Sequence, residues 1–339
     1  MSRIARHTAL AAALLAPLVA AGCGGKDQDP VTAEVSSAPA TTTVSTGAAT
    51  VGTTPAEQPH SAIVATVAPS YADAERAFHG GRYEEAASMF EAYTSANPDN
   101  AWGQYMLGLS AWKNGDNTRA LEAFDAALTL EPTHRKSLYN SARVLLETNR
   151  PQDALDRIEK ALAIEPLSGE GLRLLGRARD QLGRIPEAED AYQRALVVDD
   201  RDTWAMNNLG YLYIEQGRSN DALLPLARAV ELRSNVPVFQ NNLGTALERS
   251  GHLVEARAAF EAALQADSTY TKASVALARV TARTSPADSS TVDLAGLSRA
   301  FQELVEQWRS RVATDSTTTG TIVTDSTGSS EMVRDTVPQ

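Results

Sequence analysis

Residues 203–236 read TWAMNNLGYLYIEQGRSNDALLPLARAVELRSNV, and residues 237–270 read PVFQNNLGTALERSGHLVEARAAFEAALQADSTY. Each segment is 34 residues long, and both carry Asn-Asn-Leu-Gly at the same place, beginning at Asn207 and at Asn241. Similarity at a fixed period of this length is typical of a stacked repeat array. These two segments therefore decide the fold class.

The same period extends in both directions along the chain. Small residues stand 34 apart at Gly108, Ala142, Gly176, Gly210, Gly244 and Ala278. A second series consists of Ala86, Ala120, Ala154, Ala188, Ala222 and Ala256, and a large apolar residue follows each of these by four positions: Phe90, Phe124, Ile158, Tyr192, Leu226 and Phe260. Since residues four apart share one face of a helix, each pair predicts a packed helical face.

This pattern resembles the tetratricopeptide repeat (TPR) family, whose unit is a helix A, a turn and a helix B. The resemblance implies an all-α, right-handed α-solenoid at residues 67–284. We place six helix pairs at 67–100, 101–134, 135–168, 169–202, 203–236 and 237–270, with residues 271–284 as a capping seventh helix A. The predicted A-to-B turns contain Gly81, Gly115, Asn149, Gly183, Gly217 and Gly251, residue types that tolerate left-handed backbone angles.

A further amphipathic helix is predicted within residues 285–312. Its apolar stripe consists of Leu294, Leu297, Phe301, Leu304, Val305 and Trp308, and Thr291 or Asp293 can cap its start. An unpartnered apolar stripe needs cover. The helix can dock on the array, enter its groove or await a partner, and docking within the chain is favoured.

The first 22 residues have the features of a signal peptide. Arg3 and Arg6 precede an apolar stretch that is too short to span a membrane as a helix, and Ala20-Ala21-Gly22-Cys23 follows. This ending resembles the lipobox of bacterial lipoproteins, which implies acylation of Cys23 and an outer-membrane location facing the periplasm. Ala20 departs from the leucine that the family prefers, and cleavage to a soluble periplasmic or secreted protein is the alternative.

Two segments lack any core-forming pattern. Residues 23–66 are rich in Thr, Ala, Ser, Val and Pro and predict a disordered tether, which would span roughly 35–40 Å on average. Residues 313–339 predict a disordered tail of similar composition.

By the same resemblance, the A helices line a concave face with the second, fifth, ninth and twelfth residue of each repeat. The partner-binding candidates are Trp102, Tyr105, Leu109, Trp112, Tyr139, Asn140, Arg143, Arg173, Arg177, Trp204, Asn207, Asn208, Tyr211, Asn241 and Asn242. We expect the aromatic rings to take apolar anchors of a protein or peptide ligand and the arginines to take its carboxylates. The alternative for Trp102 and Trp204 is packing against the preceding helix B.

The asparagines among these candidates suggest a specific mode of binding. Asn140, Asn208 and Asn242 fall at the same repeat position, and an inner row of amides can hold an extended peptide by its backbone. The alternative, equally favoured, is that these amides cap or bridge neighbouring helices.

Composition and motifs argue against several other functions. The net charge is −11, which disfavours nucleic acid as a partner. No catalytic, metal-binding or cofactor motif is present, and the five histidines are scattered, so neither an enzyme nor a cofactor is expected. The sequence predicts a non-catalytic interaction scaffold in the bacterial envelope that assists assembly of an envelope complex. With six repeats behind a lipid anchor it resembles the pilotins of type IV pili, although the long tether departs from that compact family. A soluble module that binds peptide or cell-wall material is the alternative.

Overall fold

The computed structural model describes residues 69–283 and 291–318. The predicted signal peptide, Cys23, the predicted tether at 23–66 and the tail beyond Thr318 lie outside the described residues. Within the described residues the chain forms fourteen α-helices and no strand. The predicted all-α class is confirmed.

Twelve of these helices form the six predicted pairs, and a thirteenth follows them as an unpaired helix A. The A helices are α1 (Tyr71–His79), α3 (Ala101–Lys113), α5 (Arg135–Glu147), α7 (Gly169–Gln181), α9 (Thr203–Glu215), α11 (Pro237–Arg249) and α13 (Thr271–Thr281). The B helices are α2 (Tyr83–Ala96), α4 (Asn117–Leu130), α6 (Pro151–Ile164), α8 (Ile185–Val198), α10 (Ser219–Leu232) and α12 (Leu253–Ala266). Consecutive helices pack on one another, so the array is a solenoid of helix pairs with α13 as the unpaired last helix A.

The turn inside each pair has a left-handed residue at the predicted position. Five of these residues are glycines, and the sixth is Asn149, whose φ of 57° makes it the one non-glycine residue with positive φ among the described residues. Asparagine tolerates this conformation better than most side chains do. The turn between α5 and α6 therefore keeps the geometry of the others.

The two small-residue series hold the helices of each pair close together. A Cβ added to Gly176 would lie 2.5 Å from the ring of Tyr192, and one added to Gly210 would lie 2.4 Å from Cγ of Leu226. Gly108 and Gly244 face Phe124 and Phe260 in the same way. The large side chain of helix B therefore occupies the space that the glycine of helix A leaves open.

The helix contacts show which side of the array is the inner one. Each A helix contacts the next A helix, from α1 through α13, whereas no B helix among the described residues contacts the next B helix. The A helices are therefore closer together than the B helices, so the A side is concave and the B side convex. This agrees with the predicted groove side.

The fourteenth helix, α14 (Leu294–Thr318), packs on the convex side. It contacts α8 and α10, and Phe301, Val305 and Trp308 are buried in this contact. Docking within the chain, the favoured expectation, is thus what the structure shows, and the docking face is opposite to the groove. The helix continues to Thr318, six residues beyond the predicted end at 312.

Polar contacts hold α14 and the residues just before it against the B helices. The backbone N–H of Val292 donates to Glu255 of α12 at 3.1 Å, and the Ser298 hydroxyl donates to Glu231 of α10. Near its other end, Arg309 lies 3.7 Å from Asp200, just beyond α8. The carboxylate of Asp293 accepts from the N–H of Gly296 at 2.8 Å and caps the helix start, as predicted.

A proline lies under the centre of this contact. Pro225 is buried inside α10, where it has no N–H to donate to the carbonyl of the preceding turn. Its ring, together with Leu224, Phe301 and Trp308, lines a small cavity of about 150 Å³. Apolar packing against α14 therefore covers the one helix B of the described array that contains an internal proline.

Candidate binding groove

We use the name A face for the second, fifth, sixth, ninth and twelfth residues of each 34-residue repeat. These residues belong to the A helices, on the concave side of the array. All fifteen predicted partner-binding residues belong to it. Ten are buried: Tyr105, Leu109, Tyr139, Asn140, Arg143, Arg173, Trp204, Asn207, Asn241 and Asn242. Five are half-buried: Trp102, Trp112, Arg177, Asn208 and Tyr211.

The aromatic cluster of α3 divides into packed and partly open side chains. Tyr105 and Leu109 are 4% and 2% exposed, and the Tyr105 ring packs against Phe124 at 6.0 Å between centroids. Burial raises the pKa of Tyr105 to about 12. These two side chains therefore pack inside the wall, whereas Trp102 and Trp112 keep open surface.

The tryptophans make contacts other than those of the packing alternative. Trp102 meets the ring of His134, the residue that caps α5, edge-on at 4.9 Å, and Trp204 meets Phe239 of α11 in the same way at 4.9 Å. Each indole therefore packs towards the following helix A or its N-terminal cap. The indole N–H of Trp204 is buried without a hydrogen-bond partner.

All three predicted arginines interact with other groups of the chain. Arg143 donates to the side-chain oxygen of Asn140 at 3.0 Å and pairs with Glu170 at 2.9 Å. Arg173 pairs with Asp202 at 3.0 Å, and the same carboxylate caps α9. The bonds of Arg143 and Arg173 stabilise contacts between successive repeats. To bind a ligand carboxylate, either guanidinium group must add it to these bonds or exchange one of them for it.

The asparagines bridge neighbouring A helices. Asn242 donates to the side-chain oxygen of Asn207 at 2.9 Å, and Asn140 donates to the hydroxyl of Tyr105 at 3.2 Å. Asn207 and Asn241 also donate to Asn208 and Asn242, each at 3.3 Å. The bridging alternative therefore describes the observed contacts of Asn140, Asn207 and Asn242, and Asn208 is the half-buried member of the row.

A second polar series runs along the ends of the A helices. The twelfth residue of one repeat bonds the thirteenth residue of the next, 35 positions later, in four junctions. The indole of Trp112 donates to Glu147 at 2.8 Å, Gln181 donates to the carbonyl of Leu146 at 3.2 Å, Arg249 donates to the carbonyl of Ile214 at 2.7 Å, and Arg283 donates to Glu248 at 2.9 Å.

The junction between α7 and α9 differs from these four. Asp180 and Glu215 occupy the corresponding two positions, and both are acids. Burial and, after it, the Glu215 carboxylate raise the pKa of Asp180 to about 6. In this one junction of the series the two side chains repel each other at neutral pH.

Sequence reasoning did not identify this series. The thirteenth position lies outside the face inferred from the family resemblance, and Glu147, Gln181, Glu215, Arg249 and Arg283 were therefore not considered. The sequence signal for this series is a spacing of 35 residues between polar side chains, which pairs Asp180 with Glu215 and Glu248 with Arg283. A search for polar residues one position beyond the repeat period would have found it.

The described residues contain no further feature that indicates chemistry or a membrane span. No group of three or more His, Cys, Asp and Glu side chains is arranged to hold a metal ion in residues 69–283 and 291–318. No helix in that same part of the chain combines the length and the apolar character that a membrane crossing requires.

Solved structures with the same fold include a hetero-tetrameric assembly and a single TPR protein. The Cut9–Hcn1 hetero-tetramer of APC/C is 15% identical, with a TM-score of 0.55, and the match covers 61% of this chain and 41% of that one. A TPR protein from Parabacteroides merdae is also 15% identical, with a TM-score of 0.54 and coverage of 61% and 81%. At this identity the similarity concerns the fold alone. No curated protein gives a significant sequence match.

A third similar structure is that of MamA from Desulfovibrio magneticus RS-1. It is 25% identical over 48% of this chain and 91% of that chain, with a TM-score of 0.44.

The family comparison is more specific. The model described as "Tetratricopeptide repeat" matches residues 71–135, 139–203 and 205–271, each match spanning nearly two of the predicted helix pairs and all three together more than half of the chain. Proteins of this family are generally scaffolds for protein–protein interaction, without catalysis of their own. With its helix pairs, turns and inner face in the predicted register, this chain belongs to the tetratricopeptide repeat family.

Proposed function

We propose that the protein is an interaction scaffold of the bacterial cell envelope that holds a partner protein or peptide on its A face. The observation that carries this proposal is the half-open aromatic surface of Trp102, Trp112 and Tyr211 on a concave wall of mostly buried side chains. Partly exposed aromatic rings in a concavity are the side chains from which binding hot spots are built.

The hydrogen bonds across the A face support a preformed groove. Asn140, Asn207 and Asn242 link successive A helices, so the wall has its shape before a partner arrives. A preorganised surface loses little conformational freedom on binding. Asn208 and Arg177, which are half-buried on the same wall, are the polar groups best placed to contact a partner backbone or carboxylate after local rearrangement.

The envelope part of the proposal depends on the chain terminus, which lies outside the described residues. Acylation at Cys23 would tie the array to the periplasmic face of the outer membrane, and residues 23–66 would let it reach away from the bilayer. In that position the scaffold would assist assembly of an envelope complex, as its resemblance to pilotins suggests. A soluble periplasmic or secreted module binding peptide or cell-wall material is the second candidate, since Ala20 and Gly22 also suit ordinary signal cleavage.

Metabolic labelling with a palmitate analogue separates the two candidates. The lipoprotein proposal requires label on the wild-type protein and its loss in Cys23→Ser. An unlabelled wild-type protein that is nevertheless exported supports the soluble alternative.

Groove binding is tested by site-specific photo-crosslinking in cells. A crosslinking residue at position 112 should capture a discrete partner, and Trp102→Ala should weaken that capture. The control position is Leu130 of α4, which is 40% exposed on the convex side. Equal capture at both positions would contradict binding on the A face.

The variant series must avoid Tyr105. Because Tyr105 is 4% exposed and bonded to Asn140, its truncation would damage the wall itself. Trp102→Ala and Trp112→Ala, with Leu130→Ala and Ile164→Ala as the convex counterpart, compare groove and outer surface without entering the core.

A further inference from the structure

Two arginines of the A face, Arg143 and Arg173, have ion-pair partners of different kinds. Arg173 pairs at 3.0 Å with Asp202, whose side chain is 13% exposed and also accepts two backbone N–H groups at the start of α9. Arg143 pairs at 2.9 Å with Glu170, whose side chain is 40% exposed. Glu170 is the second residue of its repeat and so belongs to the A face. Asp202 is therefore built into the array, whereas the Glu170 carboxylate is open to solvent on the groove wall.

The guanidinium group of Arg143 is held in place from behind. It donates to the side-chain oxygen of Asn140 at 3.0 Å, and Asn140 donates in turn to the hydroxyl of Tyr105 in the preceding repeat at 3.2 Å. These two bonds do not involve Glu170, and the Arg143 side chain is only 10% exposed. A carboxylate that took the place of Glu170 would therefore meet a preorganised, charged donor.

The A face of the third and fourth repeats has an excess of positive charge. At their second, fifth, sixth and ninth positions, these repeats hold four cations and one acid: Lys136, Arg143, Arg173, Arg177 and Glu170. With Asp202 counted as the partner of Arg173, four cations stand against two acids, on a chain whose net charge is −11. The same positions of the second and fifth repeats carry no charged side chain and supply aromatic rings instead. The wall is therefore cationic at its centre and aromatic on either side.

We infer that the A face binds an acidic segment of its partner, and that one side-chain carboxylate of this segment binds Arg143 in place of Glu170. The inference rests on the proposed binding of a partner to the A face. Glu170 is then an internal competitor, which occupies the guanidinium group while the groove is empty and turns to solvent when the ligand carboxylate arrives. The exchange keeps the number of charged bonds at Arg143 constant, and the remaining carboxylates of the segment meet the surplus positive charge of the wall.

The charge of Glu170 distinguishes an acidic partner from a basic one. An acidic segment is repelled by the Glu170 carboxylate and competes with it, so removal of this charge strengthens binding. A basic segment would use the same carboxylate as an exposed counter-charge, so removal of the charge would weaken binding. Glu170→Gln therefore changes affinity in opposite directions for the two classes of partner.

A labelled peptide on the full chain tests the acidic class. The probe is Phe-Glu-Glu-Glu-Phe, acetylated and amidated so that only side-chain carboxylates are present, and carrying an uncharged fluorophore. Its affinity should fall as the salt concentration rises, and Glu170→Gln should tighten binding several-fold. This gain should disappear in an Arg143→Gln background, because the two residues act through one bond. No binding of the probe, no gain, or a gain that survives in that background would overturn the inference.

Glu187→Gln is the matched control for this variant. Glu187, like Glu170, is an acid in the first turn of its helix, is 53% exposed and lies beside an arginine, at 3.6 Å from Arg179, but it belongs to a B helix. Both variants change the net charge of the chain equally. An equal gain in both would show a general charge effect and would contradict the role of Glu170.

Photo-crosslinking at position 112 in cells applies the same comparison to the natural partner. Glu170→Gln should raise the yield of the captured partner, and Glu187→Gln should leave it unchanged. Capture that Glu170→Gln lowers or leaves unchanged would overturn the acidic-segment inference while A-face binding stands. No capture at position 112 in any of these proteins would overturn the proposed function itself.

Discussion

The side-chain amide of Asn242 donates to the side-chain oxygen of Asn207 at 2.9 Å, and both residues are buried, at 7% and 3% exposure. This bond joins α9 to α11 across the A face. Both residues come from the Asn-Asn-Leu-Gly motif of their repeats, but they bond with an offset of one position, fifth to sixth. The repeated motif therefore supplies a hydrogen bond between successive repeats.

Asn242→Ala should destabilise the protein by about 1–3 kcal/mol, because it leaves the buried oxygen of Asn207 without its donor. Urea denaturation measures the change. The double variant Asn207→Ala/Asn242→Ala should cost less than the sum of the single variants, since the two residues share one bond. Asn220→Ala, at an exposed position of α10, should stay within about 0.5 kcal/mol of the wild type. Strict additivity of the two single variants would contradict a direct bond.

Gly176→Ala should destabilise the protein although alanine is the better helix former. The new Cβ would lie 2.5 Å from the Tyr192 ring, and overpacking of about 1–3 kcal/mol exceeds the roughly 1 kcal/mol that helix propensity returns. Gly169→Ala on the same helix meets nothing closer than 3.8 Å and should be neutral or slightly stabilising. Circular dichroism melts of the two variants make the comparison, and equal effects would show that close approach of the helices is unimportant.

Phe301→Ala should release α14 from the convex face. Phe301 is 1% exposed, and truncating a buried phenylalanine costs about 3–5 kcal/mol. Limited trypsin digestion should then cut at Arg299, Arg309 and Arg311 while α1 to α13 resist. Glu303→Ala, exposed on the same helix, should leave the digestion pattern unchanged. Protection of α14 in the Phe301 variant would contradict docking through this side chain.

Glu248→Gln should weaken the attachment of α13 by about 1–2 kcal/mol at neutral pH. Hydrogen bonds from Arg279, supported by the charges of Arg279 and Arg283, lower the pKa of Glu248 below 4.5, so its contribution is present above that value and is lost as the pH falls through the folded pKa. Denaturation at pH 7 and pH 3 should show a larger difference between variant and wild type at pH 7 than at pH 3. An equal difference at both pH values would mean that shape, not charge, matters at this position.

The sequence predicted the helix pairs because glycine, alanine and the large apolar residues recur in register with the repeat. Packing within a pair depends mainly on these residues. It could not assign the bonds of Asn140, Asn207 and Asn242, because a period places residues on a face without saying which neighbour each one reaches. The sequence also did not specify on which side of the array α14 docks. An apolar stripe such as Phe301, Val305 and Trp308 requires cover, but it does not specify whether a concave or a convex surface supplies it.

The candidate site could likewise be predicted only in part: the sequence located the wall, but not how deeply each side chain lies in it. Trp102, Trp112, Asn208 and Tyr211 keep partly open surface on the expected wall, whereas Tyr105 and Leu109 belong to its interior. Periodicity cannot distinguish these sets, because the depth of a side chain in a curved wall depends on the size of its neighbours.

The docking of α14 and of the residues just before it has a consequence for how the protein unfolds. In a simple solenoid each repeat contacts only its neighbours, so the ends can fray independently of one another. Here α14 contacts α10 and α8, and Val292, two residues before its start, bonds Glu255 of α12. The last three repeats should therefore unfold as a single cooperative unit, and thermal fraying should begin at the other end of the array, among the repeats that α14 does not reach.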